Sequence, residues 1–405
     1  MCAYRPSTKP LLGQLVRIVP TARACAYDGS EEGISDAITT LTFTTPAAFL
    51  QIVRAPRGLG LARAWVTGQI DVEGDALQFV RNERKLRSWR LALTFLWTVC
   101  RTLPTMRVAD IKKTGPTSVE YRASRPGTHT IKRDYDEVKF HYDLSSEFYQ
   151  ILLGPSLTYS CGIFVSPWDS LEDAQTAKHA VIAEKLRLSE GSIVLDVGCG
   201  WGAFLEYATK RYGCRGIGVT ASKNQYDEIL RRRRRHPDCQ ITALLADYRE
   251  ALPMKETTAA TSIGMYEHIG AQNSQTFFGL IHTSLPRGAC YVNQSIIMRE
   301  HGPRRFRRNG FVQRYIFPNG QLLPLSCQLR DLRSVGFQIT SVDRYGGSYV
   351  LTLQSWIRNL KANWAECVAF EGEQRVRAWY MYLLGALARF ECGDIDVVQV
   401  AAKAR

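Results

Sequence analysis

The run Val194-Leu195-Asp196-Val197-Gly198-Cys199-Gly200-Trp201-Gly202 constrains the fold of this chain more than any other stretch. It reads as a buried strand, an acid at the strand's end, and three glycines opening a helix. Glycines so placed let a backbone approach a ligand closely at the carboxyl edge of a parallel sheet. Around this motif strand-like and helix-like runs alternate, at 192–197, 203–212, 216–220, 223–235, 241–245, 258–265, 274–285 and 289–297. That alternation predicts an α/β fold with a doubly wound, Rossmann-like parallel sheet.

The same motif narrows the ligand. A dinucleotide site wants an acid about twenty residues on, for a ribose hydroxyl. Here that region reads Gly216-Ile217-Gly218-Val219-Thr220, without an acid. The form Asp-x-Gly-x-Gly-x-Gly suits S-adenosylmethionine, with Asp196 facing the amino-acid end and no pyrophosphate to cradle. Thr220 to Gln225 supplies polar groups after the second strand, where a ribose would sit; the stretch is also a good helix start. Asp247-Tyr248-Arg249 follows the third strand, where an adenine would be met.

Ahead of the sheet the texture differs. Residues 38–53 read as strand then helix, and 58–74 contains Leu61-Ala62-Arg63-Ala64-Trp65-Val66. Residues 80–100 read as one or two helices, basic first at Arg81, Arg84, Lys85, Arg87 and Arg90. This is either a membrane-touching amphipathic element or a core helix with a solvated flank. A stretch rich in Gly, Pro, Ser and Thr follows. The expected organisation is a smaller α+β, lipid- or substrate-associated domain at 1–110, a linker at 111–130, and the sheet domain at 131–405.

A net charge of +14 favours an anionic partner: nucleic acid, a phospholipid surface or an acidic substrate. No zinc knuckle, aromatic RNA-binding signature or Asn/Asp-Pro-Pro-aromatic motif accompanies it, which argues against nucleic acid. Met1–Pro20 lacks the apolar core of a signal peptide. No apolar run reaches the roughly 18 residues of a membrane span. The eleven cysteines stand singly, against a zinc site or a disulfide framework. A cytoplasmic location is expected.

Further phrases are Phe140-His141-Tyr142-Asp143-Leu144-Ser145, Leu157-Thr158-Tyr159-Ser160-Cys161, Tyr266-Glu267-His268-Ile269-Gly270 and Tyr315-Ile316-Phe317-Pro318-Asn319-Gly320. With the glycine loop and Asp247-Tyr248-Arg249, their order and spacing resemble the cyclopropane fatty acid synthase and mycolic acid cyclopropane synthase family over about residues 130–405. The first segment looks like the amino-terminal domain of longer actinobacterial members.

The resemblance implies a class I S-adenosylmethionine-dependent methyltransferase acting on the double bond of an unsaturated, phospholipid-linked acyl chain. The alkene takes the sulfonium methyl, a bound bicarbonate removes a proton from the resulting cation, and a cyclopropane closes. Carried over, the cofactor would be met by Tyr159, Ser160, Asp196, Gly198, Gly200, Thr220, Gln225, Asp247 and Tyr248. Bicarbonate would be held by the Cys161 amide, Glu267, Gln294, the Ile296 amide and Tyr349. Glu267 could instead cap the helix that follows it. His141 and Tyr142 would belong to a helix over the cofactor. Tyr266, Tyr315, Phe317 and Tyr349 are rings available to face a cation.

Two positions depart from the family pattern. Gln294 stands where most characterised members carry histidine; its amide can donate to an anion but cannot take up a proton near neutral pH. Ala386 stands where some members carry a cysteine, and Cys392 nearby reads as structural. Cyclopropane formation is the expected outcome. A methyl-branched or exomethylene product, or a non-catalytic lipid-binding paralogue, stays open. The implied partners are unsaturated acyl chains of membrane phospholipids and an anionic membrane surface. Peripheral placement at the inner face would follow, through Arg231–Arg235 and through Arg304, Arg305, Arg307 and Arg308, if these clusters are more than solvated faces. A homodimer, and a reductase if the product is methyl-branched, complete the expectations.

Overall fold

A computed structural model describes residues 8–55, 58–82, 89–102, 114–121, 129–142, 144–300 and 310–405. Expectations placed on Arg84, Lys85, Arg87, Asp143, Arg304, Arg305, Arg307 and Arg308 lie outside the described residues, as does the side chain of Arg90. The chain forms two compact units. One takes in residues 1–122, 309–316 and 371–388; the other takes in 123–308, 317–370 and 389–405.

The first unit holds strands β1 (Ala22–Ala26), β2 (Glu31–Gly33), β3 (Thr39–Phe43) and β4 (Ile70–Gly74), in the order β2-β1-β3-β4. β1 is parallel to β3, and the other two pairings are antiparallel. β1 and β3 alternate buried and half-buried residues, the period of a sheet with one covered face. Leu41 and Phe43 pack with Leu11 and Leu15 of the Lys9–Ile18 helix, Phe49 of Ala47–Arg54 and Phe95 of Trp89–Thr102. Glu120, within the stretch read as a linker, is buried here. It pairs with Arg63 at 2.7 Å and Arg314 at 3.1 Å.

The second unit is built on seven strands: β5 (Ile193–Val197), β6 (Arg215–Thr220), β7 (Ile241–Leu245), β8 (Ala259–Ile263), β9 (Cys290–Met298), β10 (Phe337–Arg344) and β11 (Ile395–Ala404). Their order is β10-β11-β9-β8-β5-β6-β7. β5 to β9 are parallel, and β11 runs antiparallel between β9 and β10. Each run read from 192 to 297 is present, so the doubly wound α/β expectation holds. β5 and β9 are buried almost end to end, because helices cover both faces. Neighbouring residues Val194 and Leu195 enter different apolar clusters: Val194 with Ile182 and Leu205, Leu195 with Phe277 and Ile281. From β5 the chain winds outward to β6 and β7, then returns to β8 on the other side. A reversal of this kind opens a crevice at the carboxyl ends of the strands. Among the described residues, no helix is long and apolar enough to cross a membrane.

Candidate active site

A cleft at that crevice is lined by Tyr159, Ser160, Asp196, Gly198, Gly200, Thr220, Gln225, Asp247 and Tyr248 together. The glycine turn forms its floor. Gly198, Gly200 and Gly202 have φ of +81°, +55° and +81°, a region side chains with a Cβ adopt only with strain. The Gly198 and Cys199 amides both donate to the Val219 carbonyl, at 2.9 and 3.1 Å, tying the turn to β6. A Cβ on Gly200 would meet open space, whereas one on Gly198 would press on Met265 at 3.1 Å.

Asp196 ends β5 with 2% exposure, and its Oδ1 has no hydrogen-bond partner. Burial pushes its carboxyl up to about 7, against the pull of Lys178. Lys178, fully buried on the Leu171–Leu186 helix, lines the same cleft and donates to Ser160 Oγ at 2.7 Å. Burial brings its ammonium down to about 7. Gln175 donates to the Ser160 carbonyl at 2.8 Å and so shapes the loop that carries Tyr159. Thr220 donates to Gln225 Oε1 at 2.6 Å. The Asp247 carboxylate accepts from the Arg249 side chain at 2.7 Å, and Arg249 also reaches Asp134 at 2.7 Å. The Tyr248 hydroxyl and Trp201 Nε1 are buried without partners. An open glycine turn, an unpaired buried carboxylate oxygen and two unpaired ring donors fit S-adenosylmethionine, whose amino group is cationic and whose adenine offers acceptors.

The Ile131–Tyr142 helix contributes His141 and Tyr142 to the cleft. His141 lies 4.0 Å from the Phe317 ring, and Tyr142 lies 6.1 Å from Trp201. His268 completes this wall; burial lowers it to about 4, so it is neutral at physiological pH.

A second group sits just past β8. Glu267, buried in the short Tyr266–Ile269 helix, reaches to β9, where its Oε1 accepts from the Ile296 amide at 2.6 Å. Its Oε2 is buried and unpartnered, and burial pushes the carboxyl up to about 7. The side chain therefore bonds a neighbouring strand rather than only capping its own helix. Gln294 Nε2 donates to the Cys161 carbonyl at 3.5 Å, and Gln294 Oε1 accepts from Gln399 at 2.9 Å. The Cys161 thiol, pushed far up by burial, donates to the Gly162 carbonyl at 3.0 Å and approaches the Tyr345 carbonyl at 3.6 Å. Tyr345 lies one turn before Tyr349 at the start of the Gly346–Ala362 helix. Tyr349 packs on Phe390 at 4.6 Å and on Trp356 at 5.8 Å.

Two of the four rings available to face a cation are engaged elsewhere. Tyr266 donates or accepts with Ser274 at 3.0 Å and stacks on Phe278 in the core. Tyr315 belongs to the first unit, where its hydroxyl meets Thr117 at 3.1 Å. Phe317 lines the cleft. Ala386 also falls in the first unit, and Cys392 is exposed. In the Arg231–Arg235 run, Arg232 is held by Glu206 at 3.1 Å and Glu228 at 3.3 Å, while the other four are exposed. Lys178 in the cleft and Gln399 against Gln294 were not legible in the sequence. The signals were present: Lys178 shares a helical stripe with Ala174 and Ile182, and Gln399 interrupts an apolar strand between Val398 and Val400.

Residues 129–400 match the family described as mycolic acid cyclopropane synthetase. A probable fatty acid methyltransferase of Mycobacterium tuberculosis is 33% identical over 93% of this chain and 90% of its own length. The cyclopropane-fatty-acyl-phospholipid synthase of Escherichia coli K12 is 33% identical over 66% of this chain and 68% of its own. The crystal structure of a mycolic acid cyclopropane synthase complexed with SAH and CTAB, 31% identical, superposes with a TM-score of 0.63 over 66% of this chain and 98% of that one.

Proposed function

The chain belongs to the mycolic acid cyclopropane synthetase family, as an S-adenosylmethionine-dependent methyltransferase of the cyclopropane synthase type, and from that premise we propose that it methylates the double bond of an unsaturated, phospholipid-linked acyl chain to give a cyclopropane. The observation that carries this reading is Glu267. It is a buried carboxylate with one oxygen unpartnered, between cleft residues Met265 and His268.

S-adenosylmethionine supplies an electrophilic methyl group when bound. Asp196 would hold its amino group, Ser160 and Tyr159 would flank its amino-acid end, Thr220 and Gln225 its ribose, and Asp247 and Tyr248 its adenine. The Gly198–Gly200 turn would lie beneath it. The negative charge of Glu267, acting where water is scarce, favours positive charge on the alkylated acyl chain. Glu267, Gln294, Tyr349 and the Cys161 amide would hold bicarbonate, the acceptor of the proton lost before ring closure; the Ile296 amide, expected to join them, is already given to Glu267 Oε1 and fixes that carboxylate instead. Gln294 gives specific support to a second reading, in which the proton leaves elsewhere and an exomethylene chain results, which a separate reductase would have to reduce to give a methyl branch. Its amide takes up no proton.

The lipid partner has support in the first unit. The Trp89–Thr102 helix buries Phe95 and Val99 but leaves Leu93, Leu96 and Trp97 exposed, with the Arg101 guanidinium 4.1 Å from the Trp97 ring. An apolar stripe with a cation beside it suits the interface of an anionic bilayer. We read the enzyme as peripheral to such a surface.

The test is expression in a host that makes unsaturated phospholipids and lacks this activity. Fatty acids heavier by one CH2 and inert to double-bond reagents are expected. The same mass with double-bond reactivity favours the second reading, and unaltered fatty acids overturn both.

A further inference from the structure

The amide of Gln294 does not choose freely which end it offers to the group around Glu267. Its Oε1 accepts from Gln399 Nε2 at 2.9 Å, and Gln399 Oε1 accepts from Lys185 Nζ at 2.7 Å. Gln294 and Gln399 are direct partners across β9 and β11 and are 3% and 0% exposed. Lys185 leaves the last turn of the Leu171–Leu186 helix and also pairs with Asp343 at 2.8 Å.

A carboxamide donates from one end and accepts at the other, so a pair of them has two self-consistent arrangements. An ammonium has three donors and no acceptor, which removes the ambiguity. With Lys185 in place, Gln399 must turn its oxygen to the ammonium and its N–H2 to Gln294. Gln294 must then turn its oxygen to Gln399, leaving its own N–H2 toward the Cys161 carbonyl. That last contact is 3.5 Å, at the long limit of a hydrogen bond, so the donor remains open to a stronger acceptor.

We propose that Lys185 and Gln399 are positioning residues that act through Gln294, holding its amide as a fixed donor toward an anionic acceptor beside Glu267. The inference rests on the reading of that group as an anion site. It adds that residue 294 contributes a donor and no base, so proton removal falls to the bound anion or to Glu267. It also explains how a buried glutamine keeps one orientation where an imidazole would be held differently.

Gln399→Glu tests it, because the change keeps shape and replaces the donor by an acceptor. The new carboxylate still accepts from Lys185 but now draws the Gln294 N–H2 toward itself, turning the amide round. Gln399→Leu removes the chain and leaves the amide unfixed. With purified full-length protein and vesicles of unsaturated phospholipid, the bicarbonate concentration that half-saturates methyl transfer is expected to rise about 30-fold in Gln399→Glu and about 5-fold in Gln399→Leu. The dissociation constant for S-adenosylmethionine should stay within about twofold in both, since neither change touches the cofactor cleft. A packing role predicts the reverse order, with the near-isosteric glutamate mild and leucine severe; that order overturns the proposal. If wild-type turnover ignores bicarbonate, the anion reading fails by itself. The relay is then decided by the side-chain amide resonance of Gln294 in Lys185→Met. Lys185 bonds Gln399 and Asp343, not Gln294, so a shifted signal is expected and an unmoved one overturns the relay.

Discussion

Glu267 binds its proton more tightly in the folded chain than an exposed glutamate does, since burial raises it from 4.5 to about 7. A raised carboxyl works against folding as pH climbs: between pH 4.5 and about 7 the folded state holds the extra proton, and stability falls with rising pH. Glu267→Gln removes the buried charge. It should therefore raise the unfolding temperature at pH 8, leave it nearly unchanged at pH 4.5, and lower methyl transfer at least about 100-fold. Thermal scans at the two pH values and a labelled-methyl assay check both halves; a lower unfolding temperature at pH 8 would contradict the assignment. Gln294→His restores a group that takes up a proton near neutral pH. The expected outcome is a larger cyclopropane share and a weaker dependence on bicarbonate, and identical products and rates would show that residue 294 has no part in proton loss. Asp196 could be placed at the cleft from the sequence because it ends β5, and strand ends of a parallel sheet converge on one edge. Lys178 and Gln399 could not be placed, because a polar side chain inside an apolar stripe declares only that it is buried. Its partner comes from another element.

At the scale of elements, the glycine turn and the Trp89–Thr102 helix make separate predictions. Gly198 sits at φ +81° with Met265 close behind it. Gly198→Ala is expected to cost about 1–2 kcal/mol from the left-handed backbone alone, read by chemical denaturation, and to weaken S-adenosylmethionine binding in parallel. The helix is apolar on two sides, and only one of them is used by the core of its unit. Leu96→Ser with Trp97→Ser should weaken binding to anionic phospholipid vesicles about tenfold or more, since each exposed side chain forgoes roughly 1–2 kcal/mol of burial. The unfolding temperature should hold. Undiminished sedimentation with vesicles would remove this helix from the docking surface. The elements from β5 to β9 were readable because each alternates between a short apolar run and a longer amphipathic one. Tyr266, one of four rings available to face a cation or to fill the core, lies in the core, where the hydroxyl of Ser274, eight residues on, satisfies it. Periodicity carries no trace of that bond.

The whole molecule is organised by segments that are distant in sequence. Residues 309–316 and 371–388 join the first unit, and Arg314 reaches the buried Glu120 there alongside Arg63. No sequential reading of domain edges finds such an insertion, because composition does not change where the chain passes from one unit to the other. Glu120→Ala would leave two arginines facing a buried, uncompensated site, and a loss of about 3 kcal/mol is expected. Unfolding in urea measures it. The proposed chemistry turns on where the transferred methyl group goes and how many of its hydrogens survive. Purified protein, S-adenosylmethionine carrying a trideuterated methyl group, and vesicles of unsaturated phospholipid in bicarbonate buffer settle this by mass spectrometry of the acyl chains. Acyl chains are expected to gain a bridging carbon bearing two deuterium atoms and to lose their double bond. Chains without deuterium, or chains that keep all three deuterium atoms on a methyl branch, would contradict the proposed chemistry.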